Sequence, residues 1–449
     1  MSRTDEPYQA VDHRMIPDRK QNGERSMNRR LLLVAYYFPP MGLSGVVRVS
    51  KFAKYLQSYG WDVTVLTVEK VGYFAHDDDL LREVLDSGVE IVRTRTLDPL
   101  GVVGRRRREV KRPGDRTGAF LRGITHAFLQ PDNKIGWKRY AVAAGQSLLE
   151  ERRYDAILAS APPFTSFLVA RELSRLSGVP FVVDYRDPWL DNRNYFYATP
   201  FHRRYAAGLE KEILKNAESV VVVNRRIKEG LLARWPFLTH ETVHILPSGF
   251  DPTDVENAEP ERVAGEKMRF LFSGIFPPKL KPAPFFAALA KVFRRRPELR
   301  DQIELTFIGS FRDAYRKMAR KAGVESSIRT PGYVPHREVM DWLLSADVLW
   351  LMIDDPRLTP GKIYEYMGTR RPILALAGEG VVRSLLDSYG ASIYVRPDDV
   401  DGIADAIESF YEAWRSGRLP VGDEDAADAH NIRNLSRQLE IILSHAMRL

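Results

Sequence analysis

From Arg30 onward, short apolar runs alternate with stretches of helical period, and the alternation runs through twice. In the first series Arg30-Leu-Leu-Leu-Val-Ala35 reads as a buried strand. A glycine-bearing loop, Met41-Gly-Leu-Ser-Gly45, leads to a helix whose apolar positions Val46, Val49, Phe52, Ala53 and Leu56 share one face. Gly60 ends that helix before strand Val63-Thr-Val-Leu-Thr67. Further strands follow at Val89–Val92, Ala156–Ala159, Phe181–Val183, Ser219–Val223 and Val243–Leu246. The second series restarts at Arg269-Phe-Leu-Phe272 and continues through Glu304–Ile308, Val348–Met352 and Ile373–Leu376. Strand, helix and strand in succession dictate parallel sheets covered on both faces. The expected class is α/β, with two facing Rossmann-like domains, each a doubly wound and mainly parallel sheet. The divisions expected are a disordered tail at 1–28, an N-terminal domain at 29–252, a linker at 253–266, a C-terminal domain at 267–430 and a last helix at 431–449 that crosses back to the first domain.

Composition narrows the function. The 449 residues include no cysteine, which removes disulfides and thiolate metal sites. No apolar run is long enough to span a bilayer, and Met1–Arg30 has no apolar core of the kind a signal peptide needs. A cytoplasmic protein is expected. The formal net charge of +8 permits an acidic partner. Much of it sits in Arg105–Arg116, which holds seven basic and two acidic residues. Such a run reads either as a solvated loop or as a contact for anionic lipid on the inner face of a membrane. Amphipathic Gly118–Leu129, directly after it, favours the membrane reading. No nucleic-acid motif accompanies the charge, so no nucleic-acid partner is expected.

Thr359-Pro-Gly-Lys-Ile-Tyr-Glu-Tyr-Met-Gly368 reads as a complete short helix, with Thr359 as N-cap, Pro360 in the first turn and Gly368 as the stop. Its first turn would offer N–H groups at Gly361 and Lys362 to an anion, with Glu365 on the same edge. Alternatively, Lys362 and Glu365 are a surface ion pair. Asp184-Tyr-Arg-Asp-Pro-Trp189 follows a buried strand, at the sheet end where α/β ligand sites form. There Asp187 either serves such a site or caps a turn against Arg186. Asp77-Asp-Asp79 reads as a helix start or solvated loop, and no cluster has metal-ligand spacing. No metal and no cofactor are expected. The dinucleotide fingerprint G-x-G-x-x-G is missing from the first glycine loop, which disfavours a nicotinamide enzyme.

Several segments, in order, resemble family 4 nucleotide-sugar glycosyltransferases of the GT-B fold. They are Tyr37–Gly45, Pro131-Asp-Asn-Lys-Ile-Gly-Trp137, Asp184–Trp189, His244–Asp251 and Thr359–Gly368 with Arg371-Pro372. The resemblance implies transfer of a sugar from a nucleotide-sugar donor, UDP favoured, to a saccharide or lipid-linked acceptor. The expected transfer is retaining and metal-independent, in surface polysaccharide or glycolipid assembly. It assigns Glu365 to the donor ribose, and Gly361, Lys362, Lys279 and Lys281 to the diphosphate. Gly274 and Thr359 join them on the donor side, with Tyr333 and Val334 at the nucleobase. Gly42, Ser44, Gly45, Asp184 and Arg186 border the acceptor and phosphates. The catalytic set is Asp187, Lys279 and Lys362, with Asp187 orienting the acceptor. Three positions depart from the family pattern. Arg357 stands where a first glutamate is expected, Arg186 where a histidine is common, and Ile275 and Phe276 near the place of a phosphate-binding arginine. These departures keep a second reading open, a GT-B-like scaffold that binds a saccharide or partner without catalysis. A nucleotide-sugar epimerase on the same fold is the enzyme alternative.

Overall fold

The structure, a computed structural model, describes residues 13–15, 29–42, 44–69, 76–98, 130–192, 197, 199–260, 267–276, 280–353, 355 and 358–447. The chain divides into two compact units. One holds residues 1–223, 227–246 and 436–449, the other residues 224–226 and 247–435.

The first unit is built on eight strands. They are β1 His13–Met15, β2 Arg29–Val34, β3 Trp61–Val68, β4 Glu90–Thr94, β5 Ala156–Ala161, β6 Phe181–Tyr185, β7 Ser219–Val222 and β8 Val243–Ile245. Their order is β1-β4-β3-β2-β5-β6-β7-β8. All neighbours are parallel except β1, which pairs antiparallel with β4 at the edge. The expected disordered tail therefore contains one short edge strand. Strand order reverses between β2 and β5, so the loops after these two strands flank the crevice where such sheets bind ligands. Helices α1 Ser44–Ser58, α2 Asp78–Asp86, α3 Lys138–Glu151, α4 Thr165–Ser177, α5 Pro200–Asn216 and α6 Arg225–Arg234 connect the strands. Asp77 caps α2 by accepting from the Leu80 amide, so the acidic triplet is a helix start.

The second unit has strands β9 Met268–Gly274, β10 Ile303–Gly309, β11 Ile328–Gly332, β12 Val348–Met352, β13 Ile373–Leu376 and β14 Ser392–Val395. They lie in the order β11-β10-β9-β12-β13-β14, all parallel, with the reversal between β9 and β12. Its helices are α7 Pro252–Glu256, α8 Ala283–Arg295, α9 Asp313–Ala322, α10 His336–Ser345, α11 Lys362–Gly368, α12 Val381–Tyr389, α13 Val400–Arg415, α14 Glu424–Asp428 and the start of α15 Ile432–Ala446. An aromatic core fills one face. Phe272 stacks on Phe276 at 4.2 Å and Phe285 on Trp350 at 3.9 Å.

At the ends of this unit the linker expectation changes and the course of the last helix follows the expectation. The segment expected as linker contains α7, whose N-cap Asp251 accepts from the Thr253 amide. Phe250 is also stitched by backbone hydrogen bonds to His430 and Ile432, at 3.0 and 2.9 Å. From Ser436 on, α15 belongs to the first unit, where Glu440 pairs with Arg29 at 2.7 Å. Among the described residues no helix is long and apolar enough to cross a membrane.

Candidate active site

In the second unit Gly274, Thr359, Gly361, Lys362 and Glu365 lie at the end of β9 and after β12, at the strand-order reversal, whereas Tyr333 and Val334 follow the edge strand β11. Helix α11 starts two residues later than the sequence pattern implies, at Lys362. Its N-cap is Gly361, in helical backbone geometry and without a side-chain cap. Thr359 is therefore not the cap, and its buried hydroxyl has no partner among the described residues. The preceding turn is tightened instead by bonds from the Ile363 and Tyr364 amides to the carbonyls of Pro360 and Gly361, at 3.0 and 3.1 Å.

Lys362 is half-buried, with its charged end turned inward. Its ammonium lies 3.9 Å from the centre of the Phe272 ring and donates to the Ser273 carbonyl at 3.0 Å, at the carboxyl end of β9. Burial pushes its pKa down to about 7, against a smaller upward pull from Glu365. The surface-pair reading fails for Lys362, because its charge is held inward against β9. One turn on, the Tyr366 hydroxyl accepts from the Ser273 amide at 2.9 Å and donates to the Trp350 carbonyl at 3.3 Å. Tyr366 thus ties β9 to β12 directly beneath the lysine. Its only trace in the sequence is helical spacing behind Lys362.

Gly274 and Gly309 end adjacent strands β9 and β10, both with positive φ, at 99° and 105°. A Cβ on Gly309 would come within 2.6 Å of the Gly274 carbonyl oxygen. The backbones can approach this closely only without a side chain. Gly309→Ala is expected to cost about 1–3 kcal/mol in urea unfolding and to displace the Gly274 peptide. Lys281 is exposed and Tyr333 is 53% exposed, with Val334 half-buried beside it. Phe276, near the place of the family's arginine, is buried in the aromatic core. Lys279 and Arg357 lie outside the described residues.

In the first unit, Arg186 bridges the two loops at the reversal. Its guanidinium donates to the carbonyls of Gly45, in the first turn of α1, and Pro162, after β5. A Cβ at Gly45 would collide with that guanidinium. Asp187, next to it, is half-buried. Burial pushes its carboxyl up while Arg186 pulls it down. Gly42 is half-buried, and the Ser44 side chain lies outside the described residues.

Asp184 is different from the border residue the sequence suggested. It is buried, opposite Ser160 in the β5–β6 register. It accepts from the Ser160 hydroxyl at 2.7 Å and from Arg48 at 2.9 and 3.3 Å. Arg48, also buried, donates in addition to the Leu246 carbonyl at 2.9 Å. Asp184 is thus an internal anchor, its oxygens taken by these donors. Arg48 sits one turn before Phe52 and lies 4.5 Å from that ring. A charge at core-face spacing was the signal that could have revealed it.

The Pro131–Trp137 segment is likewise structural. Asp132 accepts from the Thr165 amide and hydroxyl and from the Lys134 amide, while burial pushes its carboxyl up. Lys134 lies 3.3 Å from Asp98, and the Trp137 indole donates to Thr94 at 2.8 Å.

Two family descriptions match the chain in sequence. "Glycosyl transferase 4-like domain" covers residues 45–249, and "Glycosyl transferases group 1" covers residues 267–413. The chain belongs to the family 4-like GT-B glycosyltransferases. No curated protein sequence matches this glycosyltransferase. Solved structures match it in fold. Anabaena HepE, solved with UDP and glucose, is 15% identical, with a TM-score of 0.64 over 93% of this chain and 100% of its own. Sucrose-phosphate synthase from Thermosynechococcus elongatus is 16% identical, with a TM-score of 0.63 over 93% and 98%. A glycosyltransferase from Rickettsia africae is 11% identical, with a TM-score of 0.63 over 94% and 99%.

Proposed function

We propose that this glycosyltransferase takes a nucleotide sugar, a UDP-sugar by preference, and transfers the sugar with retention to a saccharide or lipid-linked acceptor. The observation that carries the reading is the half-buried Lys362 at the strand-order reversal of the second unit, its ammonium drawn in against the Ser273 carbonyl and the Phe272 ring with Glu365 near it. A desolvated ammonium held, among the described residues, by a carbonyl and a ring with a weaker pull from Glu365 is poised to gain an anion. The departing diphosphate is that anion, with Lys279, Lys281 and the Gly361 N–H adding to its neutralisation. Glu365 accepts from the donor ribose, and Tyr333 and Val334 border the base. Asp187 orients the acceptor hydroxyl, whose proton passes to the leaving phosphate as the glycosidic bond forms. The charge on the leaving group is met by these cations without a metal. UDP and UDP-glucose in structures of HepE support a uridine donor. The same reading makes the chain peripheral to the inner face of a membrane, where surface polysaccharide or glycolipid is assembled. The Arg105–Arg116 run suggested for that contact lies outside the described residues.

Calorimetry with a panel of nucleotide sugars tests the donor site. Heat with one donor, and its hydrolysis, is expected; no heat with any and no hydrolysis would leave the scaffold reading. Conversion of the donor sugar with no acceptor present would instead mark an epimerase.

Donor affinity is also expected to follow the lysine. Below pH 7 Lys362 is protonated in the free protein, so affinity is flat. Above about 7 the proton must be taken up on binding, and affinity falls by up to about tenfold per pH unit. Calorimetry between pH 6 and 9 in buffers of different ionisation heat would read that uptake. A flat profile across the range would remove Lys362 from the anion site.

A further inference from the structure

Helix α5 (Pro200–Asn216) packs one face inward through Ala206, Glu210, Ile213 and Leu214. Its opposite face carries Arg204, Lys211 and Lys215 beside Phe201 and Tyr205, all exposed. At ~100° per residue these side chains, with Gly208 between them, fall within about a third of the helix circumference. Phe201 is 73% exposed and Tyr205 51%, one turn apart, an unusual exposure for two large rings on one helix. The one acid in the arc, Glu212, faces Arg171 at 3.8 Å, so the arc stays net positive. Lys215 leans over Phe237, itself 38% exposed, which extends the aromatic patch beyond the helix.

We propose that this face of α5 seats the protein on an anionic bilayer. Rings interleaved with cations on one side of a helix fit the headgroup boundary, where aromatic bodies enter the acyl edge and ammonium and guanidinium groups meet lipid phosphates. A protein partner would be expected to cover the rings with an apolar surface, whereas three cations among two rings are complementary to a negative sheet. The inference rests on the membrane part of the reading above and not on its donor site. It also differs from the Arg105–Arg116 contact in naming a helix within the folded unit.

The test is co-sedimentation of the full chain with vesicles of phosphatidylglycerol and phosphatidylcholine, against vesicles of phosphatidylcholine alone. The chain is expected in the anionic pellet and not the neutral one. Neutralising the cations as R204Q/K211Q/K215Q, with the 105–116 charges left in place, is expected to lower partitioning by about a hundredfold, near fivefold per cation at low salt. The F201S/Y205S variant is expected to lose binding as well. UDP-sugar heats measured on the same preparations should be equal in all three proteins, which separates loss of the surface from loss of the donor site or of the fold. Absence of the wild-type chain from the anionic pellet would overturn the proposal, as would equal pelleting of all three. Retention by F201S/Y205S of full binding would overturn the insertion of the rings.

Discussion

Lys362→Met is expected to weaken nucleotide-sugar binding by at least about thirtyfold and at the same time to raise the melting temperature. The first effect follows from removing a charge that meets the diphosphate in a desolvated place, where truncating one member of a pair costs about 2–5 kcal/mol. The second follows from the cost of holding that charge when no anion is bound. The free lysine sits at a pKa of about 7, below its unfolded value. Between the two values the unfolded chain binds the proton and the folded chain does not, so the stability of the wild type rises with pH across that interval. At neutral pH and below, folding carries the burden of a buried ammonium. Methionine keeps the stem over Phe272 and discards the charge. Thermal melts at pH 6 and 9 decide the point: the variant should gain most at pH 6 and show a weaker rise with pH. An unaltered melting temperature at pH 6, with full donor affinity, would show the lysine to be a solvated bystander. Glu365→Ala is expected to weaken donor binding without the gain in stability.

Asp184→Ala is expected to destabilise the first unit by about 3–5 kcal/mol, the largest effect on stability here. It leaves Arg48 charged and buried without its carboxylate and frees the Ser160 hydroxyl bonded to it. The double change Asp184→Ala with Arg48→Met should recover part of the loss, since it removes both charges and refills the space. Asp187→Ala, three residues on, should fold normally and lose turnover. Urea unfolding of the four proteins separates anchor from site. If Asp184→Ala and Asp187→Ala unfolded at the same denaturant concentration, the two roles assigned to this motif would fall together.

That motif shows where reading from sequence stops. Asp184, Arg186 and Asp187 follow a buried strand and look equivalent on paper. Strand register distinguishes them: Asp184 is still within β6, opposite Ser160, and the sheet encloses it. Arg186 and Asp187 lie past the strand end, where the chain can turn to the loops. Thr359 failed for a related reason. A cap is a local choice, but Lys362 and Tyr366 are pinned to β9, and the tertiary attachment moves the helix start to suit them. The edge strand His13–Met15 had no legible signal because three residues are too few for periodicity, and only pairing with β4 defines them.

Apolar periodicity alone determined the alternation of strand and helix, the parallel character of both sheets and the place of the two loop systems that bear the site residues. It could do so because burial on two faces imposes a pattern on every strand, and each pattern is local. Which charges are buried anchors and which stay within reach of a ligand was decided only by tertiary structure. That choice depends on partners distant in the chain, such as Arg48 for Asp184 and Ser273 for Lys362, and on the desolvation that packing alone creates.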